Sequence, residues 1–141
     1  DVVRDARALA PVDGVTAMHD ITEGGLLGAL HEMAAGADAQ FRVDSDRVPT
    51  DDDVATVCST LEMDPWRATS SGSMVVAVDP DSTAAVLDAL ADRGTTAAVI
   101  GEVAAGTGVV RDGDPTARPA GDASWPVYEA LRDAATDADS G

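Results

Sequence analysis

Apolar residues recur along this chain with two alternating periods. Val2 to Leu9 has the spacing of a short amphipathic helix, ended by Pro11 and Gly14. Val15 to His19 begins β-branched and reads as a strand, and Asp20-Ile21-Thr22-Glu23-Gly24-Gly25 reads as a loop. Leu26, Leu27, Leu30, Met33 and Ala34 then fall at helical spacing, and Gly36 is expected to end that helix. Phe41 and Val43 alternate with polar neighbours as in a strand. Pro49-Thr50 opens a helix capped by Thr50 or Asp51, with Val54, Val57, Cys58 and Leu61 as its expected buried stripe. Asp64-Pro65 stops it, and residues 66–72 form a loop.

Met74 to Val78 is continuously apolar, which suits a strand covered on both faces. Asp79-Pro80-Asp81 breaks that strand and caps a helix whose inner face is Ala85, Val86, Leu87, Leu90 and Ala91, with Gly94 as terminator. Ala97 to Val103 predicts a strand, and Gly106 to Gly108 a turn into a hairpin partner beginning at Val109-Val110. Residues 112–124 read as a loop, and Pro126 to Ala134 as a last short helix. Alternation of this kind predicts an α+β domain, a mixed sheet with helices packed on it. A single domain over residues 1–135 with a flexible tail over 136–141 is expected.

Charge narrows the function. The formal net charge is −17, all nine basic residues are Arg, and Asp far outnumbers Glu. A hydrophobic fraction of 45% argues for a folded domain with an acid-coated surface, as in extreme halophiles, where salt screens self-repulsion. Nucleic-acid binding is disfavoured, because phosphate contacts need clustered cations. No apolar run is long enough to span a membrane. The one cysteine, Cys58, cannot form an internal disulfide and suits the cytoplasm.

The main candidate for chemistry is Asp20-Ile21-Thr22-Glu23-Gly24-Gly25-Leu26, between a strand and a helix. Unpaired amides at a helix start, with glycines that allow close approach, can accept phosphate. Asp20 could hold Mg²⁺ through oxygen ligation. The same residues could equally be a tight turn with Thr22 as the cap. His19 could act as acid or base or be a structural histidine. Ser70-Ser71-Gly72 could face a substrate or satisfy its own loop. His31, Cys58, Trp66 and the Asp51-Asp52-Asp53 run read as structural or solvated.

The segment Met18-His19-Asp20-Ile21-Thr22-Glu23-Gly24-Gly25-Leu26, followed by Ala29-Leu30-His31-Glu32-Met33-Ala34, resembles the C-terminal domain of AIR synthase-related (PurM/HypE-like) proteins. Val48-Pro49, Leu61-Glu62-Met63-Asp64-Pro65, Ser71-Gly72 before the apolar strand, and Ala98-Val99-Ile100-Gly101-Glu102-Val103 agree in order over roughly residues 1 to 112. The resemblance implies a superfamily that uses ATP and Mg²⁺ to activate an amide or carbamoyl oxygen as a phosphate ester. It implies a separate N-terminal domain that carries most nucleotide and metal ligands and forms a homodimer. By the same resemblance His19 and Asp20 are catalytic candidates, Asp20 is also a metal ligand, and Thr22, Gly24, Gly25, Ser71 and Gly72 bind phosphate or substrate. HypE-like members end on a cysteine and tend to carry Asn-Glu-Gly-Lys before the apolar strand. This chain ends Asp139-Ser140-Gly141 and has Ser70-Ser71-Gly72-Ser73 there. A non-catalytic small-ligand-binding or regulatory module is the alternative expectation.

Overall fold

The computed structural model describes residues 1–138, and the end of the expected tail, residues 139–141, lies outside them. Among the described residues five α-helices and six strands, with three short 3-10 turns between them, follow in the order α1 (Val2–Leu9), β1 (Val15–Asp20), α2 (Gly25–Ala37), β2 (Gln40–Val43), α3 (Asp52–Thr60), β3 (Met74–Val78), α4 (Thr83–Ala91), β4 (Gly101–Ala104), β5 (Gly108–Arg111), β6 (Asp114–Thr116) and α5 (Ser124–Ala138). The α+β expectation holds.

Two sheets share the molecule. β1 and β3 pair antiparallel, Asp20 lying opposite Met74, and β4-β2-β5-β6 form a mixed four-stranded sheet. Side chains on β3 divide by parity, as the period of two requires. Val75 and Ala77 join a core built on α2 (Leu26, Leu30, Met33) with Phe41 and Val43 of β2 and Val109 of β5. Met74, Val76 and Val78 join a second core around Leu9 of α1 and Val86 and Leu90 of α4. The continuously apolar strand is therefore packed on both faces, as its sequence predicts.

Several boundaries differ from expectation. α2 passes through Gly36, and Asp38 ends it in a left-handed conformation with φ 50°, its N–H bonded to the Ala34 carbonyl. Asp51, not Thr50, caps α3 by accepting from the Asp53 amide. Only Cys58 of the expected α3 stripe is buried, while Val54, Val57 and Leu61 face outward. On α4 the inner face is Val86 and Leu90, with Ala85 and Ala91 exposed. β5 is not the hairpin partner of β4. β2 inserts between them, antiparallel to β4 and parallel to β5.

The expected loop over 112–124 contains β6, which returns against β5 through Asp112-Gly113. Both turn residues have positive φ, 53° and 92°, as a tight two-residue hairpin turn demands. α5 begins at Ser124 and runs through Thr136 to Ala138, longer at both ends than the predicted helix.

Candidate functional site

β1 delivers the glycine turn to the start of α2. Gly24 is the N-cap, left-handed at φ 85°, and no side chain caps the helix, so Thr22 does not play that part. The Thr22 carbonyl instead accepts from the Gly25 amide at 3.0 Å. Gly25 lies under the turn, where a Cβ would stand 2.6 Å from the Trp66 carbonyl oxygen and 2.8 Å from that of Ala68. Its glycine identity therefore answers a close backbone approach inside the protein.

The Gly24 amide has an internal partner. It donates to Oδ2 of Asp122 at 3.1 Å. The Thr69 hydroxyl donates to the same oxygen at 2.6 Å. The Ser124 amide and hydroxyl donate to Oδ1 at 2.9 and 2.6 Å. Asp122 is only 3% exposed. Burial by itself would raise its pKa, but the hydrogen bonds from Ser124, Thr69 and Gly24 outweigh burial and lower it to about 2. A carboxylate of the protein thus occupies the position that an external anion would need at the Gly24 amide.

Beside this latch lies a cleft of about 310 Å³, lined by Thr22, Glu23, Gly24 and Gly28 on one side and by Arg118 and the 119–121 segment on the other, with Glu32 between. Glu32 is the hub. Its Oε1 accepts from Nη2 of Arg118, and its Oε2 lies 3.1 Å from Nε2 of His19. Nδ1 of His19 is 2.6 Å from the Asp20 carbonyl oxygen. Both ring nitrogens thus face oxygen acceptors, a placement suited to holding and passing a proton.

The expected site residues divide into groups. Thr22 and Gly24 line the cleft, and His19 reaches it through Glu32. Gly25 faces inward. Asp20 is largely exposed at the end of β1. Ser71 and Gly72 sit at the tip of an exposed turn closed by a Ser73 to Ser70 backbone bond. That turn joins the end of β1 through the Ile21 amide and the Ser73 carbonyl, outside the cleft. Among the described residues no three His, Cys, Asp or Glu side chains converge to hold a metal ion. Asp20 is thus not part of a three-ligand cluster among the described residues.

Glu32, Arg118, Thr69 and Asp122 are the residues that sequence reasoning missed. Only Asp122 had a local signal: Asp-x-Ser ahead of an apolar-periodic segment is an Asx turn at a helix start.

His31, one position before Glu32 on α2, has Nε2 3.2 Å from the Thr116 hydroxyl oxygen. Burial lowers its pKa, and the positive charge of Arg118 lowers it further. Replacing Arg118 by Gln is expected to raise the His31 titration midpoint, read by NMR of the ring protons. An unchanged midpoint would mean that Arg118 does not reach this ring electrostatically.

The family described as AIR synthase related protein, C-terminal domain, matches residues 1–113. The carbamoyl dehydratase HypE of Rhizobium leguminosarum bv. viciae is 35% identical over 116 residues, covering 74% of this chain and 33% of that protein. The crystal structure of E. coli HypE superposes with a TM-score of 0.80 at 28% identity, over 89% of this chain and 41% of that one. A HypE crystallised in complex with ATP gives a TM-score of 0.72 at 27% identity, over 82% of this chain and 39% of the other. The chain thus spans about a third of the length of the curated relatives it matches. With the matched segment running from α1 to the turn before β6, the chain belongs to the AIR synthase-related C-terminal domain family.

Proposed function

We propose that this chain is the C-terminal part of an ATP-dependent enzyme that phosphorylates an amide or carbamoyl oxygen, and that the cleft at the start of α2 is its share of the active site. The observation that carries this reading is one hollow in a HypE-like chain lined by Thr22, Gly24 and Glu32 from the β1–α2 stretch and by Arg118 from far along the chain, with His19 held against Glu32. ATP, when bound, supplies the phosphoryl group.

This chain's residues favour the acceptor side of that reaction. Glu23 and Glu32 would repel a bare phosphate, and the Gly24 amide is taken by Asp122, so the cleft suits a neutral amide better than an anion. The exposed Thr22 hydroxyl can hydrogen-bond an amide oxygen or nitrogen. His19, held by Glu32, is placed to take or return the amide proton. Arg118 offsets negative charge that develops at the oxygen. Asp20 would contribute one oxygen ligand to Mg²⁺, and the Ser71-Gly72 turn would hold substrate from the end of the β1–β3 sheet. An N-terminal domain would complete the nucleotide site and the homodimer. The acidic surface suits a protein working in molar salt in the cytoplasm.

A second reading has its own support. The internal occupation of the Gly24 amide by Asp122 favours a non-catalytic ligand-binding or regulatory module.

Mg²⁺-dependent ATP hydrolysis by the full-length protein, measured with and without amide substrates in molar salt, separates the two. Stimulation by an amide supports the enzyme. Amide binding with neither turnover nor nucleotide binding supports the module. His19→Gln is expected to reduce turnover about 10²-fold or more if the histidine moves the proton. Unchanged kcat in that variant would remove His19 from the chemistry.

A further inference from the structure

The α3 and α5 surfaces share an unusual property. Trp125, Tyr128 and Leu131 on α5 are each more than half exposed, and they recur every third residue, along one side of the helix. Val54 and Val57 on α3 are about half exposed, and Leu61 follows on the same side. Val54, Val57, Cys58, Met63, Thr69 and Ser124 line one hollow of about 340 Å³, so the base of α5 and the outer face of α3 border the same depression. An amphipathic helix normally turns such a stripe toward a core; here both turn it outward. Scattered apolar residues would need no explanation, but stripes on two helices do, when Val54 and Val57 of one line a hollow that the other borders through Ser124.

The rim is acidic. Asp53 lines the hollow, with Asp51 and Asp52 beside it, and Glu129 lies one helical turn from Trp125. The cation on this side of α5, Arg132, is paired with Asp133 at 2.9 Å. A second copy of a chain with net charge −17 would bring acid against acid. We infer that this surface docks an amphipathic helix of a partner protein, with an apolar stripe for the hollow and Lys or Arg along its flanks. Thr69 and Ser124, which line the hollow, also hold Asp122, so the bound helix would sit beside the latch that secures the Gly24 turn.

Trp125 reports the test, because Trp66 is buried. The full chain is titrated with a synthetic amphipathic helix bearing a Leu stripe flanked by Lys and Arg, and with a twin flanked by Glu. The expected result is a saturable blue shift of emission with the basic peptide only, which weakens as salt rises over the range where circular dichroism stays native. Val57→Asp and Leu131→Asp, on separate helices, should each weaken binding about tenfold or more. Both add negative charge, so non-specific attraction would instead strengthen. Three results would overturn the inference. These are equal binding of the two peptides, a blue shift with protein concentration alone together with a dimer in sedimentation, and emission that is already blue and unmoved by either peptide. The last would mean that α5 closes on its own α3.

Discussion

Asp122→Ala is expected to lower the unfolding free energy by about 2–4 kcal/mol, the cost of losing charge-assisted hydrogen bonds and of leaving the buried Gly24 amide without its partner. Four donors converge on this carboxylate: the amides of Gly24 and Ser124 and the hydroxyls of Thr69 and Ser124. They belong to the start of α2, the turn before β3 and the start of α5, so one side chain fastens three segments. Without it the buried Gly24 amide stays desolvated and unpaired, while the Thr69 and Ser124 donors turn to water and no longer tie their segments to α2. For a chain of this size the loss corresponds to a fall in Tm of roughly 10 °C, followed by circular dichroism in molar salt.

The same residue sets an acid limit. Its pKa is held at about 2, below the ordinary 3.8, so the folded state binds the proton less well than the unfolded chain. Its contribution is fully present above the unfolded pKa and is lost as pH falls from about 4 toward 2, amounting to about 2–3 kcal/mol. Acid unfolding curves of the Asp122→Ala variant should lack that component. A variant as stable as the parent, with the same acid limb, would show that the carboxylate does not fasten the turn.

How much of this was legible in the sequence depends on the range of each interaction. The apolar periods place α1, α2, α4 and the strands β1 to β3 close to their observed limits, because those patterns are local. The α3 stripe shows the limit of that signal. Val54, Val57 and Leu61 do share a side of the helix, but periodicity cannot say which side the body covers, and only Cys58 is buried. The parallel pairing of β2 with β5 is hidden for a related reason, since some sixty residues separate the strands and a turn signal predicts only the neighbour in sequence.

β6 was readable. Asp112-Gly113 is a strong hairpin signal, masked by the surrounding Pro, Gly and Asp. The site was half readable. The turn of residues 20–25 announces itself through its glycines, whereas the partners that define its chemistry, Asp122 for Gly24 and Arg118 for Glu32, are 98 and 86 residues away. Nothing local in the pattern of residues 112–124 points back to α2.

The two glycines of the turn should respond very differently to a single methyl group, and that difference tests what the turn is for. At Gly25 a Cβ would meet the Trp66 carbonyl at 2.6 Å and the backbone of Arg67 and Ala68 at 2.8 Å, with φ at 66°. Backbone on both sides cannot step aside as a flexible side chain would, and α2 and the 65–67 turn anchor the larger core through Leu26, Leu30 and Trp66. Gly25→Ala is therefore expected to cost about 4 kcal/mol or more, overpacking and left-handed strain acting together. At Gly24 φ is 85°, but the nearest atom to a Cβ is the Gly28 Cα at 3.6 Å, an ordinary contact. Gly24→Ala should then cost only the strain, about 1–2 kcal/mol, and narrow the cleft beside Thr22 without unfolding the domain. Thermal unfolding of both variants, with binding of an amide to the folded one, separates architecture from ligand contact. If Gly25→Ala folds normally and loses binding while Gly24→Ala binds unchanged, the inner glycine, not the outer, meets the ligand, and the cleft beside Arg118 is not the site.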